Sequence, residues 1–121
     1  MSDKKPILVA EDEALLRILA VEILVDAGFP VFEASDGVEA LELLKTNPQI
    51  ALLVSDIRMP RMDGYALLEA GLALRPDLKV LLMTGYTQEP PRRMVETHEV
   101  QILHKPFNLE RLCAIAAEMT A

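Results

Sequence analysis

The chain alternates short, unbroken apolar runs with stretches whose apolar positions recur every three or four residues. Ile7 to Ala10 reads as strand one, Val31 to Glu33 as a short strand two, and Ile50 to Ser55 as strand three. Val80 to Met83 and Val100 to Leu103 read as strands four and five. These runs lack polar alternation, so both faces of the sheet are expected to be covered. The helical period predicts helices over Glu13 to Ala27, Gly37 to Lys45, Gly64 to Leu74, Arg92 to Thr97 and Leu109 to Met119. Ser35 or Asp36, Asp63 and Asn108 are the expected caps of the second, third and last helices, because a short polar side chain accepts from the first unpaired backbone N–H groups. Gly28 ends the first helix, and the third stops before Pro76. Pro90 and Pro91 stand where the fourth should begin, so that helix is expected to be short or to start late.

Five strands alternating with five helices predict a doubly wound, five-stranded parallel α/β sheet. The 121 residues fit one domain, 1–121, with no linker and no room for an output domain. In the first helix Leu16, Leu19, Ala20, Ile23 and Ala27 form the expected core stripe. Leu15, Ile18, Val21 and Val25 fall largely on other faces. The helix is therefore broadly buried, or leaves scattered apolar residues exposed without function, or presents a docking face to partner helices or to another copy of the chain, with Leu15 and Ile18 as its candidates.

Charge and cysteine content narrow the function classes. A net charge of −7 argues against nonspecific nucleic-acid binding, which needs a basic footprint. Cys113 is the only cysteine, which excludes an internal disulfide and fits a reducing cytoplasm. Its place between Leu112 and Ala114 reads as packing. The apolar run before Glu11 is too short for a signal-peptide core, and no segment approaches the ~20 apolar residues of a membrane span.

The chemistry lies at the strand ends. Strand one runs into Glu11-Asp12, strand three into Asp56, strand four into Thr84-Gly85-Tyr86, and strand five into His104-Lys105-Pro106-Phe107. Right-handed crossovers put these carboxyl ends on one edge of the sheet, beside its topological switch point. Carboxylates held together repel one another and call for a cation. Mg²⁺ suits them because it takes few carboxylates and keeps water or phosphate oxygens as ligands. Lys105 adds a compact positive charge and Thr84 a hydroxyl donor. The expectation is a divalent-cation and phosphoryl site. Met59 and Met62 read as loop and core packing, and His98 and His104 as surface residues.

With Glu11-Asp12, Asp56 followed by Met59-Pro60-x-Met62-Asp63-Gly64, Thr84-Gly85 and Lys105-Pro106-Phe107 in this order, the chain resembles the receiver domain of two-component response regulators over its whole length. The resemblance implies a flavodoxin-like fold with strand order 2-1-3-4-5. It implies that Asp56 accepts a phosphoryl group from a phosphohistidine of a sensor histidine kinase or histidine phosphotransfer protein. Asp12 and Asp56 would bind Mg²⁺ directly with the Arg58 backbone carbonyl, and Glu11 through a water. Thr84 and Lys105 would contact the phosphoryl oxygens, and the Lys105-Pro106 bond would be cis. Labelling of Asp56 is expected to require Mg²⁺. The kinase would dock beside the first helix, with Pro106 and Phe107 as further docking candidates. The chain would act as a signalling protein rather than a turnover enzyme. It would relay phosphate, serve as a phosphate sink or bind a downstream protein, as a monomer or a homodimer.

One position departs from the family pattern. Many receivers carry Tyr or Phe three residues before the lysine, where this chain has Ile102. The aromatic switch is not carried over, and Thr84, Ile102 and Tyr86 become the switch candidates, with loop 84–93 as the responding segment. Two other readings remain. A haloacid-dehalogenase-like Mg²⁺ phosphatase would want a second acid where Arg58 stands. A flavodoxin-like cofactor binder would want a glycine-rich phosphate loop after strand one, where Glu11-Asp12 would repel phosphate. A receiver segment of a hybrid histidine kinase is a further alternative, although the initiating Met1 and the length favour the expectation of a free-standing receiver.

Overall fold

Alternate residues of each central strand serve two separate cores in the computed structural model, which describes residues 4–84, 99–104 and 108–121. The strands are β1 (Ile7–Ala10), β2 (Val31–Ala34), β3 (Leu52–Asp56), β4 (Lys79–Thr84) and β5 (Val100–His104). All pair in parallel, in the order β2-β1-β3-β4-β5. Leu8, Ala10, Leu53, Val80, Leu82 and Val100 face one layer, where α2 (Gly37–Thr46) contributes Ala40 and Leu44 and α3 (Gly64–Leu74) contributes Leu67, Leu68 and Leu72. Ile7, Val9, Leu52, Val54, Leu81, Met83 and Leu103 face the other. There α1 (Ala14–Asp26) supplies Ala20 and Leu24, and α4 (Leu109–Thr120) supplies Leu112, Ile115, Ala116 and Met119. This two-sided burial is why the strands read as continuous apolar runs.

The described residues contain four helices, and the helix expected over Arg92 to Thr97 lies outside them. Asp36, rather than Ser35, caps α2, its side chain accepting from the Glu39 N–H. Asp63 and Asn108 cap α3 and α4 in the same way. Strand ends differ from expectation where polar residues pair. Asp56, Lys79, Thr84 and His104 belong to their strands although no apolar run includes them, and β3 begins at Leu52 instead of Ile50.

The expected core stripe of α1 holds at Ala20, Ile23 and Ala27, which lie in or against the core, and is corrected at Leu19, whose expected place Leu24 takes. Ala20 and Leu24 are its buried residues, Leu16 is half-buried and Leu19 is exposed. A helix that is apolar nearly all round has no strong period, so its sequence does not fix which stripe faces in. Leu15, Ile18 and Val25 are exposed as well. Ile102 is half-buried against the α2–α3 core, as are Met59 and Met62. His104 is exposed, whereas His98 lies outside the described residues. No described helix is long and apolar enough to cross a membrane.

Candidate functional site

The ends of β1, β3 and β4 build the site. Ala10 pairs with Ser55 and Asp56 with Met83, so Glu11-Asp12, Asp56 and Thr84 follow one another across neighbouring strands. Glu11 continues the β1 backbone, donating its N–H to the Ala34 carbonyl at 3.1 Å. It is only 1% exposed, and its Oε2 accepts from the Glu13 N–H at 3.2 Å. Asp12 is exposed and Asp56 half-buried. Carboxylate oxygens of the three acids lie within 4.8 Å of one another. Such a set of hard oxygen donors, one nearly excluded from water, fits a divalent cation that removes the mutual repulsion.

Asp56 is held by its own neighbours. The Ile57 N–H donates to Asp56 Oδ1 at 2.7 Å, and Ser55 Oγ donates to the Asp56 carbonyl at 2.8 Å. The chain then leaves the sheet and returns at Gly64, whose N–H donates to the Ile57 carbonyl at 2.6 Å. Gly64 is required by this return: a Cβ there would lie 2.5 Å from the Asp56 carbonyl oxygen and 2.7 Å from Ile57 Cα. Thr84, the last residue of β4, is wholly buried. Tyr86, Lys105, Pro106 and Phe107 lie outside the described residues.

Two supporting side chains escaped the sequence reading. Arg17 of α1 donates through Nη1 to the Glu11 carbonyl at 2.8 Å and through Nε to Glu33 Oε1 at 3.3 Å, bridging the ends of β1 and β2. Its signal was a lone basic residue in an otherwise apolar stretch of helix. Arg61 donates through Nε and Nη2 to Asp36 Oδ2 at 2.9 and 2.7 Å. Asp36 Oδ1 meanwhile accepts from the Glu39 N–H at 2.8 Å. That backbone bond, against an opposing effect of burial and with help from Arg61, holds the Asp36 carboxyl below its ordinary pKa.

Residues 7–117 match the response regulator receiver domain. The chain belongs to this family. The receiver is 36% identical over 115 residues to the response regulator receiver protein CpdR of Brucella abortus (strain 2308), covering 89% of the chain and 90% of CpdR. It is 35% identical over 121 residues to the sensor kinase CckA of the same organism, covering 98% of the chain but spanning only 13% of that kinase. Among solved structures, the receiver domain from the hybrid histidine kinase CckA superposes with a TM-score of 0.82 at 32% identity, covering 96% of this receiver and 99% of that chain. Chemotaxis protein CheY4 of Vibrio cholerae gives a TM-score of 0.85 at 26% identity, covering 96% and 98%. The expected flavodoxin-like order 2-1-3-4-5 is the order observed. The receiver is a phosphoacceptor of two-component phosphorelay signalling. The match places the chain among receivers and not among haloacid-dehalogenase-like phosphatases.

Proposed function

We propose that Asp56 is the phosphoacceptor, and that Glu11, Asp12 and Asp56 hold a Mg²⁺ ion beside it. The observation that carries this reading is the convergence of the three carboxylates within 4.8 Å at the ends of adjacent strands. Mg²⁺ would neutralise charge where an anionic phosphoryl group must approach anionic side chains. Asp12 and the Arg58 carbonyl are its proposed direct ligands with Asp56, and Glu11 acts through water.

In the transfer, an Asp56 carboxylate oxygen forms a bond to phosphorus while the phosphorus–nitrogen bond of a phosphohistidine breaks. The bonding pair leaves with the imidazole nitrogen. The product is an aspartyl phosphate. The Ile57 N–H, fixed on Oδ1, orients the carboxyl group for attack. Thr84 donates its hydroxyl to a phosphoryl oxygen, and Lys105 supplies the balancing ammonium. The response passes through Thr84, Ile102 and Tyr86 to the adjoining surface, which then relays the phosphate or binds a protein target.

The proposed donor is a sensor histidine kinase or a histidine phosphotransfer protein, and the proposed compartment is the cytoplasm. Leu15, 64% exposed, and Ile18, 48% exposed, lie on the first turns of α1, directly after Glu11-Asp12. A donor helix packed on them would bring its histidine to Asp56. Pro106 and Phe107, outside the described residues, are further proposed docking residues, and a second copy of the receiver is the other candidate occupant of the strip.

The test is to phosphorylate the protein from a panel of histidine kinases and from phosphoramidate, with Asp56→Asn as control. One phosphoryl group per chain on Asp56, lost in Asp56→Asn and in EDTA, is the expected result. Undiminished labelling in EDTA, or an adduct mapped to another residue, overturns the reading.

A further inference from the structure

The segment between Asp56 and Gly64 carries a strained residue that nothing in the phosphotransfer chemistry requires. Arg61 has φ of 67°, and the Met62 N–H donates to the Pro60 carbonyl at 2.7 Å across it. This is a γ-turn of positive φ, an uncommon and strained conformation for a residue with a side chain. Such a conformation persists only where its surroundings hold it. Here they are identifiable. The Arg61 guanidinium places two N–H groups on Asp36 Oδ2, across 25 residues of sequence, onto the N-cap of α2. Beside this pair the Met62 backbone packs against Gly37, where a Cβ would meet the Met62 carbonyl oxygen and lie 2.8 Å from Met62 Cβ. The tip of the segment is thus fastened to α2, and its two ends are fastened to each other by Gly64 and Ile57.

We infer that Arg61 is a positioning residue for the phosphoacceptor site: hooked on Asp36, it holds segment 57–63, and with it the Arg58 carbonyl and the Ile57 N–H, in the arrangement that binds the metal and orients Asp56. This rests on the assignment of Asp56 and its metal site above. A backbone ligand cannot be tuned through its own side chain, so its position depends on what anchors the loop. Both ends and the tip are anchored here, and the tip's anchor includes a side-chain ion pair. Glycine at 61 would relax the backbone but release the tip. Stability and site geometry therefore respond to that substitution in opposite senses.

The experiment measures Mg²⁺ affinity of the unphosphorylated protein by calorimetry, together with labelling by phosphoramidate across a Mg²⁺ titration. The variants are Arg61→Gly, Arg61→Lys, Asp36→Asn (which keeps a good helix cap) and the double variant Asp36→Asn/Arg61→Gly. Arg61→Gly is expected to keep or raise the melting temperature while Mg²⁺ affinity falls about tenfold, the low end for loss of a group supporting a metal ligand. Labelling is expected to weaken at low Mg²⁺ and recover at saturation. Arg61→Lys should recover part of the loss, and the double variant should be no worse than Arg61→Gly alone, because both changes break one contact. If Arg61→Gly does not fold, Asp36→Asn and Arg61→Lys carry the same comparison. Mg²⁺ affinity within about threefold of wild type, or losses that add in the double variant, overturns the inference. Absence of labelling in the wild type would instead overturn the assignment of Asp56.

Discussion

The Ile57 N–H donates to Asp56 Oδ1 at 2.7 Å. The Asp56 carboxyl is therefore oriented by the peptide that follows it, and whatever moves that peptide turns the carboxyl. Gly64 is the residue that closes the loop behind it, at 2.6 Å from the Ile57 carbonyl.

Replacing Gly64 with Ala forces a methyl against the Asp56 carbonyl oxygen and Ile57 Cα. Both are backbone atoms of the sheet end and cannot rotate away. Gly64→Ala is expected to destabilise the protein by ~1–3 kcal/mol, as overpacking does. It should also slow phosphoramidate labelling even where the variant remains fully folded. Urea unfolding and intact-mass labelling rates, measured side by side, separate the two effects.

Leu15→Glu and Ile18→Glu place charge on the exposed strip of α1 without emptying the core. Each should change stability by no more than ~0.5 kcal/mol. Phosphotransfer from a cognate histidine kinase should fall through weakened docking, and labelling from phosphoramidate should not change. Equal kinase transfer in wild type and both variants would remove this strip from the docking surface.

Leu24→Ala removes a fully buried side chain between α1 and the sheet. The expected cost is ~2–5 kcal/mol. Leu19→Ala, by contrast, trims an exposed residue and should cost far less. Comparing the two melting temperatures tests the rotation of α1 directly.

Asp36 gives a pH dependence of defined sign. Its folded-state pKa is depressed, chiefly by the Glu39 N–H and further by Arg61. A depressed carboxyl contributes stability that is fully present above its unfolded value, about 3.9, and is lost as pH falls through the lower folded value. Asn at this position keeps a cap but does not titrate. The stability gap between wild type and Asp36→Asn should therefore be constant from neutral pH to about pH 5 and narrow below about pH 4. Urea midpoints measured through that range check it.

The sheet and the carboxylate cluster were legible because each left a local mark. Buried parallel strands leave unbroken apolar runs, and Glu11-Asp12 and Asp56 interrupt those runs at their ends. The caps Asp63 and Asn108 were readable for the same reason, as short polar residues immediately before an apolar period. Strand ends were misjudged where backbone pairing continues under a polar side chain, as at Thr84 and His104. On α1 the reading held at Ala20, Ile23 and Ala27 but took Leu19 in place of Leu24, because apolar residues surround the helix and leave that choice to tertiary packing. The Arg61–Asp36 contact had no local mark. It joins distant residues through a positive φ that only coordinates reveal.

The strip of Leu15, Ile18, Leu19 and Val25 left in water by α1 also bears on how the protein behaves in concentrated solution. With a net charge of −7, neighbouring molecules repel before these greasy surfaces meet. Near the isoelectric point, about 4.8, that repulsion vanishes and the strip becomes adhesive. Colloidal stability is therefore lowest in mildly acidic buffer, around that point.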